Sequence, residues 1–213
     1  MPSKLPKGKL SPVKLEFRGI IGTVEDERPV LKQVVLEIDR NVAIDPKGLA
    51  TCRLGRIKKV DTATALETCK AALVGEGRLG FEVAYSEQPP LLPYSHVLAF
   101  NGGIKRGVTT IYFHSYLSSP VSAAAVGTIK ASKVHRGRYG TKLVVTIPEI
   151  ASGSGWLTRF ELNLFRIFLY KGRKQSYLLA RCADGKLQAR WEAKFAEVPA
   201  VRGALSQHCT PKG

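Results

Sequence analysis

A succession of short β-type segments, separated by turn signals, is the feature that most constrains the fold of this 213-residue chain. The clearest segments, rich in β-branched and aromatic residues, are at 13–21, 31–39, 77–85, 94–100 and 107–117, and similar ones continue to residue 195. Turn signals lie between them, for example Asn-Gly-Gly at 101–103 and Ala-Asp-Gly-Lys at 183–186. Strands do not alternate with helices, so a parallel sheet is not expected. The pattern predicts a mainly β protein, an antiparallel β-sandwich.

Residues 61–77 depart from this pattern and predict the one helix of the chain. Asp61 is suited to cap a helix, and Leu66, Cys69 and Leu73 follow at helical spacing. We expect a short helix at about 61–74. A helix of three to four turns is marginal by itself, so packing and a crosslink through Cys69 are expected to hold it.

The four cysteines form two local pairs, Cys52 with Cys69 and Cys182 with Cys209. No C-x2-C motif is present, and the one histidine close to a cysteine, His208, is adjacent to Cys209, a poor arrangement for binding one metal ion. We therefore expect two disulfide bonds and no metal site. Four reduced cysteines in the core are the alternative.

Disulfide bonds predict an oxidising compartment. The chain has no apolar segment long enough for a transmembrane helix, and its start shows no signal peptide. Residues 1–12 are interpreted as a basic, Pro/Lys-rich tail of a secreted or cell-envelope protein, with a cytoplasmic protein as the alternative. Residues 13–213 are expected to form one domain, and two lobes that meet near residues 118–121 are the alternative.

The positive charge of the chain predicts an anionic partner or simple solubility. The formal net charge is +16, and residues 129–213 alone carry sixteen basic and five acidic side chains. The most suggestive surface consists of two basic turns that also hold tyrosines, at 130–142 and 170–177. Cations interleaved with aromatic rings suit contact with phosphate or sulfate groups and stacking on bases or sugars. The candidate residues are Lys130, Lys133, Arg136, Arg138, Tyr139, Lys142, Tyr170, Lys171, Arg173, Lys174 and Tyr177.

Motifs of catalysis or cofactor binding are absent from the sequence. Ser-Gly-Ser-Gly-Trp at 152–156 is not a nucleophile elbow, and no P-loop, dinucleotide fingerprint or H-E-x-x-H occurs. The stretch 39–50 offers oxygens from Asp39, Asn41 and Asp45 but lacks the glycine and the bidentate glutamate of a calcium loop, so it is interpreted as a turn. We expect no cofactor and no enzymatic activity.

Three segments of the chain, at 31–52, 100–117 and 150–182, resemble uncharacterised secreted proteins of soil actinobacteria. The resemblance extends over most of the chain, including the four cysteines. It implies export and a β-rich fold, and it implies no activity.

Three classes of function follow from the sequence. The first is a non-enzymatic exported protein whose basic surface binds an anionic polymer, such as a cell-wall polymer, an acidic polysaccharide or nucleic acid. The second is a structural module or one that binds another protein. The third, an enzyme with a dispersed site, has the least support.

Overall fold

The computed structural model describes residues 4–22, 29–85, 87–118 and 122–212, and for Tyr85, Gln88 and Arg136 it describes the backbone alone. The possible junction of two lobes therefore lies outside the described residues, apart from residue 118. The side chain of Arg136, a predicted binding residue, lies outside them too.

Strands dominate the chain, and the helical segments are short. The strands are β1 (Lys4–Pro6), β2 (Ser11–Pro12), β3 (Leu15–Ile20), β4 (Leu31–Asp39), β5 (Val42–Ile44), β6 (Leu73–Tyr85), β7 (Gln88–Leu91), β8 (Tyr94–Lys105), β9 (Val108–Leu117), β10 (Ala123–Arg136), β11 (Tyr139–Thr146), β12 (Gly155–Leu164), β13 (Ile167–Tyr170), β14 (Arg173–Ser176), β15 (Leu178–Ala180), β16 (Lys186–Phe195), β17 (Val201–His208) and β18 (Thr210–Lys212). The helices are α1 (Leu54–Ile57) and α2 (Thr62–Cys69), with 3-10 turns at Lys70–Ala72 and Ala151–Gly153. The predicted mainly β fold with a short helix near 61–74 is confirmed.

Most strands belong to one large antiparallel sheet with the order β17–β16–β4–β11–β10–β9–β8–β6–β12–β3, and β7 pairs with β6. The sheet is strongly curled. If it were flat, β3 and β4 would be about 34 Å apart, since neighbouring strands are about 4.8 Å apart. Phe17 of β3 and Leu36 of β4 nevertheless line the same cavity. We call the side of the sheet that faces the inside of the curl its inner face.

Smaller sheets pack against one part of the inner face and form a second layer. β5, β15 and β2 make a three-stranded antiparallel sheet, and β1 pairs in parallel with β18. Leu5 and Val13 are 2% exposed and share a core with Ile129 and Leu143 of the large sheet. The segment expected to be a tail thus contributes two strands to the fold, because β1 pairs with the C-terminal strand β18 and β2 pairs with β15.

The two helices pack on the outer face of the large sheet. Ile57 of α1 and Ala65 of α2 form a buried cluster with Leu98 and Phe100, side chains of β8 that point away from the inside of the curl. Asp61 caps α2 as expected, because its carboxylate accepts a hydrogen bond from the Thr64 amide at 2.8 Å.

Both expected disulfide bonds are formed. Cys52 is bonded to Cys69, which joins the segment before α1 to the end of α2. Cys182 is bonded to Cys209, which joins the chain after β15 to the residue between β17 and β18. Two disulfides are consistent with an oxidising environment.

Two turn predictions were wrong. Asn101–Gly103 lies inside β8 and forms a bulge, and the chain reverses instead at Arg106–Gly107, where both residues have positive φ. Asn101 is fully buried and holds the bulge, since its amide donates to Ala50 O at 2.9 Å and accepts from Gly103 N at 3.1 Å. Residues 183–186 are also not a hairpin, because β15 pairs with β2 and β5 rather than with β16.

Candidate functional site

An apolar cavity of about 170 Å³ lies on the inner face of the large sheet. Its walls come from eight neighbouring strands, β4 to β3 in sheet order, and from Ile147, Pro148 and Ile150 after β11. It lies beside the second layer: Leu143 and Ile129 belong to the core shared with the small sheets, whereas Ile150 and Leu157 belong to a separate core cluster. The curl of the sheet therefore encloses more space than the second layer fills.

Small side chains keep this space open. Ala125 and Gly127 occupy successive inward positions of β10, where Ala125 pairs with Ser115 and Gly127 with the larger Phe113 of β9. In a β-strand, residues two apart share a face, so both positions point into the curl. The side chain of Ala125 is a single methyl group that faces the cavity, so a larger, branched side chain at this position would fill part of the cavity.

The walls of the cavity are apolar. Among the residues that the structure describes, none that lines it is charged, and Ser115 and Thr146 are the lining residues with polar side chains. The Ser115 hydroxyl donates to Ser95 Oγ at 2.8 Å, and the Ser95 hydroxyl donates to the Tyr116 carbonyl at 2.8 Å. Because these hydroxyls bond to each other and to the backbone, Ser115 presents no free donor to the cavity. A polar ligand would find no partner there.

Several lining side chains are only half-buried although they point inward. Leu36, Phe113 and Val145 are examples, because space rather than protein lies in front of them. An apolar occupant would cover these side chains and remove their surface from water, which stabilises a complex by about 25 cal/mol per Å² of apolar surface buried.

The two basic stretches form hairpin turns, as the sequence predicts. β10 and β11 are joined at Gly137–Arg138, and β13 and β14 at Lys171–Gly172. Of the candidate binding residues, the ones with exposed side chains are Lys130, Lys133, Lys171, Arg173 and Lys174. Lys142 is half-buried.

Two other candidates, Arg138 and Tyr139, have structural contacts. Arg138 Nε donates to Asp39 at 2.6 Å, and its terminal nitrogens bind Asp184. The hydrogen bond to Asp184, and to a smaller extent the one to Asp39, raise the pKa of Arg138. The bond from Arg138 lowers the pKa of Asp184. The guanidinium of Arg190 lies 4.7 Å from the centroid of the Tyr139 ring. Arg138 and Tyr139 therefore join strands of the fold rather than stand free in solvent.

The tyrosines of the second turn also face the protein. The Tyr177 side chain is fully buried, and burial raises the pKa of its hydroxyl. Tyr170 is half-buried against Gly48, where a methyl group would overlap its ring, and Lys171 Nζ lies 5.7 Å from the ring centroid. The two turns pack against opposite ends of the segment 39–48, because Arg138 contacts Asp39 and Tyr170 contacts Gly48.

Residues 53–59 form a third basic surface that the sequence interpretation missed. Arg53, Arg56, Lys58 and Lys59 are all exposed around the one-turn helix α1. Four cations in seven residues could have identified it as a charge run.

Metal coordination has no support in the described residues, which contain no group of three His, Cys, Asp or Glu side chains placed to hold an ion. The side-chain oxygens of Asp39, Asn41 and Asp45 bind backbone amides and arginine side chains instead. Asp39 Oδ1 accepts from Asn41 N at 3.0 Å, and Asp45 Oδ1 accepts from Lys47 N at 3.1 Å. Such contacts are typical of turns that begin with aspartate.

The described part of the chain contains no helix with the length and apolar character needed to cross a lipid bilayer. Comparison of the chain with protein-family models, with curated proteins and with solved structures finds no match.

Proposed function

We propose that this protein is a non-enzymatic binding protein of an oxidising compartment that holds a linear acyl chain inside its curled sheet. The apolar cavity on the inner face of the sheet, beside the second layer, carries the proposal. The two disulfide bonds support the compartment.

The size of the cavity supports an apolar ligand. An engineered apolar cavity of about 150 Å³ stays dry and binds benzene, and the present cavity is slightly larger at about 170 Å³. Its apolar walls stabilise a ligand by removing it from water, at about 25 cal/mol per Å² of apolar surface buried. Because the described wall residues carry no charge, the cavity selects for the uncharged part of a molecule.

The shape of the walls supports a chain rather than a fused ring system. Lining residues extend from Leu143 of β11 to Ile147, the residue after this strand, over about 13 Å at about 3.3 Å per residue. A volume of about 170 Å³ spread along such walls is narrow. A flexible hydrocarbon chain can follow this space, whereas a rigid polycyclic molecule requires width.

Titration of the delipidated protein with cis-parinaric acid, a linear fluorescent fatty acid, tests the proposal. We expect saturable binding of one molecule per chain and displacement by a saturated fatty acid. Ala125→Phe places a ring in the cavity and should weaken binding by tenfold or more.

Ala124→Phe is the matched control, because residue 124 is the neighbour of Ala125 on β10 and points to the opposite face. It should bind the probe as the parent does, and circular dichroism should show that both variants are folded. Equal binding by parent and both folded variants, or no binding by the folded parent, would overturn the proposal.

The hypothesis that the hairpin turns bind an anionic polymer is a second candidate. Exposed Lys130, Lys133, Lys171, Arg173 and Lys174 support it. Because Arg138, Tyr139 and Tyr177 have other contacts, stacking on those tyrosines is not part of this candidate. Its test is the control variant in the next subsection.

A further inference from the structure

We propose that residues 52–60, together with Lys70, form a binding site for a flexible anionic polymer with closely spaced phosphate, sulfate or carboxylate groups. We call these residues the stapled segment, because the Cys52–Cys69 disulfide bond fixes it. The site lies on the outer face of the sheet, so it is independent of the cavity and of the acyl-chain function.

The backbone of the stapled segment is anchored at both of its ends. Cys52 N donates to Asn101 O at 2.8 Å, on the bulge of β8. At the other end, the Val60 carbonyl lies 2.9 Å from Nε2 of His114, which is buried on β9. Between these anchors, Ile57 is 0% exposed and packs on Leu98 and Phe100.

This anchoring matters for binding. A flexible tail loses roughly 1–2 kcal/mol of backbone conformational entropy for every residue that a ligand orders. In the stapled segment, folding and the disulfide bond have already fixed the backbone, so a polymer meets cations at set positions.

The stapled segment presents five exposed cations: Arg53, Arg56, Lys58, Lys59 and Lys70. None of them forms an ion pair with another residue that the structure describes. Lys70 belongs to the group because the Cα atoms of Cys52 and Cys69 are 5.5 Å apart. Successive Cα atoms are about 3.8 Å apart, so the Cα atoms of Arg53 and Lys70 are at most about 13 Å apart.

Two acidic side chains of α2 lie near this group. Asp61 caps the helix by accepting hydrogen bonds from Thr64. The bond from the Thr64 amide, and to a smaller extent the one from its hydroxyl, lower the pKa of Asp61, so this carboxylate is ionised at neutral pH. Glu67 is exposed one helical turn before Lys70. Five cations against two anions leave the stapled segment with a local charge of +3.

A polymer fits this surface better than a membrane does. Binding to a bilayer interface requires an apolar face beside the cations. Here Ile57 is turned inward, and Leu54, the large apolar residue on the exposed side of α1, is 36% exposed. Leu54 alone does not make an apolar face, and the cations around it suit repeated anionic groups on a flexible chain.

Two variants that remove the same number of charges test the proposal. The first carries Arg53→Ser, Arg56→Ser, Lys58→Ser and Lys59→Ser. The second carries Lys130→Ser, Lys133→Ser, Arg173→Ser and Lys174→Ser in the hairpin turns. Each lowers the formal net charge from +16 by four, to +12. A difference between them therefore reports position rather than total charge.

Both variants and the parent are applied to immobilised heparin and to immobilised polyphosphate across a salt gradient. We expect the first variant to elute at clearly lower salt from both. Its plot of log affinity against log salt should be shallower by about 3, at about 0.7 per charge for a single-stranded polyanion. Heparin and polyphosphate distinguish sulfate-rich from phosphate-rich polymers.

Equal elution of the two folded variants would overturn the proposal, and earlier elution of the second would favour the hairpin turns instead. Binding to anionic phospholipid vesicles without retention by either polymer would overturn the choice of a polymer. Ala125→Phe should elute with the parent, so failure of the acyl-chain function leaves this test valid.

The staple itself gives a second test with all charges retained. The double variant Cys52→Ser with Cys69→Ser leaves the second disulfide bond and the net charge unchanged. Because the stapled segment has lost its crosslink, this variant should bind the immobilised polymers less tightly than the parent. If this variant is folded by circular dichroism and elutes with the parent, preorganisation by the disulfide bond is wrong.

Discussion

The buried carboxylate of Asp39 and the guanidinium of Arg138 meet at 2.6 Å although the two residues are 99 positions apart in the chain. Asp39 ends β4, and its side chain also accepts hydrogen bonds from the amides of Asn41 and Gln188 at 3.0 and 3.1 Å. Arg138 continues to Asp184, so one guanidinium joins β4 to the turn before β16. The arginine is thus part of the framework.

Arg138→Ala should lower the free energy of unfolding by about 2–4 kcal/mol, because it leaves the buried Asp39 carboxylate with two backbone donors and no counter-charge. Chemical denaturation measures the change. Arg173→Ala, an exposed arginine of the other hairpin turn, is the control and should cost under about 0.5 kcal/mol. Equal effects would show that the Asp39 contact does not stabilise the fold.

Each disulfide bond should contribute about 3 kcal/mol to stability. The bonded cysteines are 17 and 27 residues apart, and closing loops of this size reduces the entropy of the unfolded chain by about this much. Paired Cys→Ser variants, one for each bond, should unfold at correspondingly lower denaturant concentration. Peptide mapping without reductant checks the pairing, and four free thiols in native protein would contradict it.

Acidification should destabilise the protein through His114. Burial lowers the pKa of His114 below 6.5, whereas the bond to the Val60 carbonyl opposes this shift. At pH values between the folded pKa and about 6.5, the unfolded chain binds more protons than the native protein does. The stabilisation is therefore complete above pH 6.5 and decreases as the pH falls below it, by at most about 1.4 kcal/mol per pH unit.

His114→Gln, which can still donate to the Val60 carbonyl, should flatten this dependence in unfolding experiments between pH 8 and pH 5. The control is His135→Gln, because His135 is exposed. If the first variant keeps the pH dependence of the parent, another group causes it.

Gly48→Ala should destabilise the protein by more than the backbone strain of a positive φ alone, because the added methyl group would also overlap the Tyr170 ring. Gly48 has φ of +82°. Gly172→Ala is the matched control, because Gly172 has φ of +71° and open space beside it. The control should cost about 1 kcal/mol, and Gly48→Ala should cost at least about 1 kcal/mol more. Thermal unfolding that shows equal losses would contradict the packing of Tyr170 on Gly48.

The sequence by itself determined the local structure. Alternating apolar residues predicted the strands, and Asp61 with the spacing of Leu66 and Cys69 predicted the helix. Each disulfide bond joins two cysteines that are close together in the sequence. The sequence also predicted the basic turns at Gly137 and Gly172, because glycine is itself a turn signal. In the structure both glycines have positive φ. These features depend on residues close together in the chain.

Tertiary structure alone decided the rest. Asn-Gly-Gly at 101–103 became a bulge because Asn101 binds the Ala50 carbonyl, 51 residues away. Arg138 was interpreted as a surface cation, yet Asp39 and Asp184 bind it. The cavity depends on the curl that brings Phe17 of β3 opposite Leu36 of β4. That curl is the sum of small twists over eight strands, and no local pattern encodes the sum, because each strand specifies which side chains face inward but not how far the sheet bends.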